Sequence, residues 1–133
     1  MPVEAIIFDM DGVLVDSEPY WLASRQEFAR DLGKVWTDAD QRLAMGRNTV
    51  EWAQVMQERL HLEQSVESII EDVIARVIAH YEQRLPLRPG AIEAAQAAAS
   101  AYPTALASGS PKRIIQRVME LTGLNQVFRH VVY

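Results

Sequence analysis

The sequence contains no cysteine. That excludes disulfide scaffolds, thiolate-bound zinc or iron–sulfur centres and thiol catalysis in one step, and it suits a reducing compartment. An excess of positive charge is also missing. Thirteen Lys and Arg face eighteen Asp and Glu, for a formal net charge of -5. No basic patch stands out, so no nucleic-acid partner is expected. An acidic chain still binds an anion where a cation or a helix end supplies local positive charge. Long apolar runs are lacking too. The N-terminal MPVEAIIFDMDG has no basic leader, and its apolar stretch is too short for a signal peptide. The most membrane-like segment, 91–108, is interrupted by Glu93, Gln96 and Pro103, so no membrane span is expected. The expected location is the cytoplasm.

What is present is an ordinary globular composition, 49% hydrophobic and 23% charged over 133 residues. This is room for one domain, or one domain with a small insertion. The continuous apolar run at 3–8 reads as a strand buried on both faces, as in a parallel sheet. Gly12 supplies turn freedom after it. Asp16 or Ser17 can cap a helix to about residue 32, with Leu22, Phe28, Ala29 and Leu32 at helical spacing. Thr37 or Asp38 opens a short helix to about residue 44, and Asn48 or Thr49 opens another through about residue 60. The strongest periodic signal is Ile69, Ile70, Val73, Ile74, Val77, Ile78 and Tyr81, a core stripe on a helix over about 65–84. The segment 85–90, with two prolines and a glycine, is a linker.

A helix over 91–101 and a strand over 104–107 follow. Ser110 is a good N-cap and Pro111 a good first residue for the next helix, which ends at Gly123. Residues 127–133 form a last strand. Strands separated by helices imply a parallel α/β sheet. The surplus of helices between the first two strands reads as an inserted helical subdomain over 17–86, within a core of 1–16 and 87–133.

The sharpest chemical feature is Asp9-Met10-Asp11-Gly12 at the carboxyl end of the first strand, where ligands bind in open α/β sheets. Of two carboxylates so spaced, one can attack an electrophile while the other moves a proton. They can equally help to hold Mg²⁺, or simply form a turn after a strand. Ser108-Gly109-Ser110-Pro111 stands at the end of the second strand and leads into a helix. Met45-Gly46-Arg47-Asn48-Thr49 interrupts the helical region. Trp21, Trp36 and Trp52 read as helical packing. His61, His80 and His130 show no metal-ligand spacing.

The string IIFDMDGVLVDSEPYW closely resembles the first motif of the haloacid dehalogenase superfamily, in particular its sugar-phosphate phosphatases and β-phosphoglucomutase-like members with a helical cap. The string ALASGSP at 105–111 resembles the second motif. The resemblance implies a partial Rossmann-like core with the helical insertion as its cap. It implies Asp9 as the nucleophile that takes the phosphoryl group and Asp11 as general acid and then base. The Asp9 carboxylate and the Asp11 main-chain carbonyl would bind Mg²⁺. Ser108, with the N–H groups of Gly109 and Ser110, would bind phosphate, and Lys112 is a further candidate for phosphate contact. Gly46 would bend a cap loop from which Arg47 faces a sugar hydroxyl or a second phosphate.

The family's third motif, a lysine, and its fourth, an acidic pair, normally lie downstream of the strand at 127–133, where this chain stops. By the resemblance, metal affinity and turnover are weakened, since one preorganised charge is worth about 10²–10³ in rate. The first strand would also be left as an apolar edge that pairs with another chain, in a homo-oligomer, strand-swapped dimer or partner-completed sheet. The reading is therefore a Mg²⁺-dependent phosphatase of small sugar or polyol phosphates. A phosphomutase using the same aspartates, and a non-catalytic fragment or interaction module, are the alternatives. A dehalogenase does not require the second aspartate.

Overall fold

Capping chemistry decides where the helices begin. In the computed structural model, which describes residues 3–132, Thr37 Oγ1 accepts from the Asp40 N–H at 3.1 Å while the Asp40 carboxylate accepts from the Thr37 N–H at 3.0 Å. Asn48 and Glu51 repeat the exchange at 2.9 and 3.2 Å. Each reciprocal pair satisfies two helix-end N–H groups that have no partner inside the helix. These caps open α2 (Asp38–Ala44) and α3 (Thr49–Arg59). The other helices are α1 (Glu18–Asp31), α4 (Val66–Gln83), α5 (Ala91–Ala101) and α6 (Lys112–Thr122). None of the described helices is long and apolar enough to cross a membrane.

The fold is α/β, as the alternation of strands and helices predicts. Strands β1 (Ile6–Asp9), β2 (Thr104–Ala107) and β3 (His130–Val132) form a parallel sheet in the order β1-β2-β3. The register pairs Asp9 with Ala107 and Ala107 with Val132, which brings the carboxyl ends of all three strands level.

Three expectations are corrected. First, β1 is not buried on both faces: Ile7 is 71% exposed. A continuous apolar run cannot report which face is covered, because side chains alternate across the sheet. Thr104 and Leu106 are buried, and the ring of Phe8 meets Phe128 at 5.6 Å, while Ile7 and Val132 alternate to an uncovered face. Second, the last strand is shorter than 127–133. A 3-10 turn (Leu124–Gln126) and buried Phe128 occupy its start, and Tyr133 lies outside the described residues. Third, Ser110 is not the N-cap of α6. Pro111 takes that position, with φ -55°, and its N-cap role involves no side-chain bond. Gly123 ends α6 with φ 73°, a left-handed conformation that costs glycine little.

The chain divides into two compact units, residues 18–79 and residues 1–17 with 80–133. The sequence pattern predicted an insertion over 17–86, but α4 runs through the structural boundary. The helical unit packs around Phe28, Trp36, Trp52, Met56, Ile69 and Val73. In the sheet unit, the outgoing and returning segments pair with each other. The Asp16 N–H donates to the Pro86 carbonyl at 2.8 Å, and the Arg88 N–H to the Leu14 carbonyl at 2.8 Å.

Candidate active site

The chain turns sharply once it leaves β1. The Leu14 and Val15 N–H groups both donate to the Met10 carbonyl, at 2.9 and 3.0 Å, and the Gly12 N–H donates to the Val15 carbonyl at 2.7 Å. Gly12 has φ 81°, which an L side chain adopts only at a cost. This knot of bonds buries Met10, Leu14 and Val15 and fixes Asp9 and Asp11 on either side of Met10. Asp9 is exposed. Its Oδ1 accepts from the Met10 N–H at 2.8 Å, which orients the carboxylate.

The second loop leaves β2 beside it. The Ser108 N–H donates to the Val132 carbonyl at 3.1 Å and ties this loop to β3. The Ser110 N–H donates to Ser108 Oγ at 3.1 Å. Both hydroxyls then converge on one atom. Ser108 Oγ lies 3.4 Å from Asp11 Oδ2, and Ser110 Oγ donates to that same oxygen. Asp11 Oδ1 is buried with no hydrogen-bond partner among the described residues. A cleft of about 520 Å³ opens between these loops at the carboxyl ends of the strands, walled by Asp9, Ser108 and Gly109 together with Ile7 and Val132.

The structure thus brings together Asp9, Asp11, Ser108, Gly109 and Ser110. Lys112 is exposed at the start of α6 and is not a wall of the cleft. Gly46 and Arg47 belong to the helical unit. Gly46 has φ 75°, and the Arg47 Nε–H donates to the Leu43 carbonyl at 2.6 Å, closing the end of its own helix. The sequence assigned Ser110 to a helix cap and to a main-chain contact. Its bond to Asp11 was missed. No local signal could have found it, because a serine before a proline is also a favourable helix start.

The chain matches the haloacid dehalogenase-like hydrolase family over residues 3–133. It is 30% identical over 132 residues to the phosphorylated carbohydrates phosphatase of Thermotoga maritima, covering 98% of this chain and 61% of that protein. It is 32% identical over 130 residues to hexitol phosphatase B of Escherichia coli K12, covering 93% of this chain and 57% of that protein. The chain therefore spans about 60% of the length of the curated relatives it matches. Among solved structures it resembles CbbY from Rhodobacter sphaeroides in complex with phosphate, with a TM-score of 0.81 at 20% identity over 98% of this chain and 63% of that one. A family match along nearly the whole chain, with the DxDG turn and the serine loop meeting at one cleft, leads to one conclusion: this chain belongs to the haloacid dehalogenase-like hydrolases.

Proposed function

We propose that the protein is a Mg²⁺-dependent phosphatase of small phosphorylated metabolites, sugar or polyol phosphates, acting through a phosphoryl-aspartate. The observation that carries this reading is the cleft: Asp9 presents a carboxylate oxygen in its wall, and Asp11 is held beside it by Ser108 and Ser110. The names of the two curated relatives support the substrate class.

Asp9 attacks phosphorus, and the bond to the substrate oxygen breaks. Asp11 gives its proton to that leaving oxygen. Water then attacks the phosphorus, Asp11 takes the water's proton, and the Asp9–phosphorus bond breaks to release phosphate. Ser108 Oγ and the Gly109 N–H would hold phosphate oxygens.

The residues suit Mg²⁺ in donor chemistry. Asp9 offers an exposed carboxylate, and Asp11 keeps a buried oxygen without a donor. Among the described residues no group of three His, Cys, Asp or Glu converges. Such a site fits an ion that takes one or two carboxylates and fills its shell with water and phosphate oxygens. The Asp9 carboxylate and the Asp11 main-chain carbonyl would hold it. When bound, the ion neutralises charge between the carboxylate and an incoming phosphate. The cysteine-free composition supports a cytoplasmic location.

The test is hydrolysis of p-nitrophenyl phosphate with Mg²⁺, with Asp9→Asn as control. Turnover that the substitution abolishes supports the phosphatase. Equal background in both proteins overturns it and favours a non-catalytic module, a reading to which the exposed β1 edge lends weight. A phosphomutase would instead return the phosphoryl group to sugar rather than to water.

A further inference from the structure

The sequence contains one Asp–Gly pair, Asp11-Gly12, and no Asn–Gly pair. Its glycine is not optional. The turn after β1 gives residue 12 a φ of 81°, where any other residue carries a Cβ penalty. The same glycine leaves its nitrogen uncovered. Apart from the chain neighbours, nothing lies within 4 Å of a Cβ built at this position. A main-chain nitrogen so bare is the usual nucleophile for attack on the preceding aspartate side chain. The turn that places Asp11 thus exposes it to a reaction of its own backbone.

Two groups must meet for that reaction, and the structure restrains both. The nucleophile is the Gly12 nitrogen, whose N–H donates to the Val15 carbonyl at 2.7 Å. Val15 is itself fixed, being fully buried with its N–H donating to the Met10 carbonyl at 3.0 Å. The electrophile is Asp11 Cγ. Its Oδ2 accepts from the Ser110 hydroxyl and lies 3.4 Å from Ser108 Oγ. The Ser110 N–H donates to Ser108 Oγ at 3.1 Å, which braces the two hydroxyls against each other. Attack requires the turn to open and the carboxylate to leave the serine loop. Crowding at Gly12 supplies no protection, so these hydrogen bonds must.

We propose that Asp11-Gly12 is a latent isoaspartate site, held shut by the Ser110 hydroxyl and the Val15 carbonyl. The step balances with water as the only co-reactant. The Gly12 nitrogen bonds to Asp11 Cγ, and one carboxylate oxygen leaves as hydroxide with the nitrogen's proton. The product is a succinimide ring. Water then opens the ring at the Asp11 main-chain carbonyl and breaks that carbon's bond to nitrogen. The water's hydroxyl joins the carbon and its hydrogen returns to the nitrogen. The main chain now runs through Cγ and is one methylene longer, and the former main-chain carbonyl has become the free carboxylate. The longer turn carries that carboxylate away from Ser110.

The experiment is forced ageing of the folded chain at mildly alkaline pH, read by mass spectrometry of the tryptic peptide that ends at Arg25. Electron-transfer fragmentation separates isoaspartate from aspartate within it. The parent unfolded in guanidinium chloride, where neither restraint exists, is the reference. The folded parent should isomerise at Asp11 at least about tenfold more slowly than the unfolded one. Ser110→Ala should age about tenfold faster than the folded parent, as loss of a hydrogen bond to a carboxylate predicts, and Ser110→Thr, which keeps the hydroxyl, should not. Thr104→Val controls for stability. Thr104 Oγ1 donates to the Val127 carbonyl at 3.0 Å, so this variant loses one bond in the same unit, at the amino end of β2. It should age like the parent, with far-UV circular dichroism confirming that each variant is folded.

Equal rates in the folded and unfolded parent overturn the proposal, and that comparison needs no variant. Ageing of Ser110→Ala at the parent's rate overturns it too. So does Thr104→Val ageing as fast as Ser110→Ala, which would mark a general loosening of the unit rather than release of Asp11. None of these measurements uses turnover. The phosphatase assay can therefore fail while this site stands, and the reverse.

Discussion

Ser110 donates its hydroxyl hydrogen to Asp11 Oδ2 across 99 residues of sequence. Asp11 therefore does not hang freely from its turn. It is tethered to the loop that follows β2, so the two motifs meet through side chains as well as through strand pairing. Removing this donor in Ser110→Ala leaves Asp11 Oδ2 with only the Ser108 hydroxyl at 3.4 Å. A lost bond to a carboxylate of this kind costs about 1–2 kcal/mol. Urea denaturation of the two proteins should show the shift in midpoint at unchanged slope.

Asp40 links stability to pH. Burial alone would raise its pKa, but the Thr37 N–H, the Arg59 guanidinium and the Thr37 side chain outweigh burial and hold the carboxyl below the ordinary carboxylate range. A depressed native pKa means that the unfolded chain takes up the proton first as pH falls. The stabilisation is thus present above the unfolded value of about 3.9 and is lost as pH drops through the lower native one. Asp40→Asn should be less stable than the parent at pH 7, and the gap should close in denaturation curves taken below about pH 3.

Gly12 tests the turn after β1. A Cβ built there meets nothing within 4 Å, so the position is limited by its backbone angle of φ 81° and not by space. Gly12→Ala should cost about 1–2 kcal/mol, the penalty of a left-handed L residue. Gly12→Asn should cost less, because asparagine tolerates this region better. An equal loss for both variants by thermal denaturation would point to steric crowding instead.

We also propose self-association along β1. This strand is the edge of the sheet, and Ile7 at 71% and Val132 at 58% exposure share its uncovered face. Unpaired strand edges of this kind recruit another chain. Light scattering at micromolar concentration should give more than a monomer mass, and Ile7→Lys should return it toward the monomer. A monomer in the parent protein would count against the proposal.

Local chemistry made much of this legible. Thr37 and Asn48 announce their helices because Asp40 and Glu51 stand three residues later. Ile69, Val73, Ile74, Val77 and Tyr81 are all buried, as a helical stripe requires. Asp9 and Asp11 are read from a short string because a strand end and a glycine turn fix their positions. The failures have a different origin. Ile7 is apolar and exposed, and a run of apolar residues contains no information on what covers each face. Ser110 has two good uses locally, and only the fold brings Asp11 close enough to choose between them. Arg25 and Gln41 are sixteen residues apart and look like ordinary polar positions on two helices. Their joint burial depends on three indoles that gather only in the folded unit.

The pairing of Leu14–Asp16 with Pro86–Arg88 gives the helical excursion a closed neck. The chain leaves the sheet and returns to it through backbone groups one hydrogen bond apart. Topologically the excursion is a long loop whose closure is guaranteed at its base. The entropy of closing such a loop grows only slowly with length, by about 0.6 kcal/mol per doubling. Evolution can thus lengthen, shorten or exchange what lies beyond the neck at little thermodynamic cost to the sheet. Residues beyond the neck can change while Asp9 and Asp11 stay fixed.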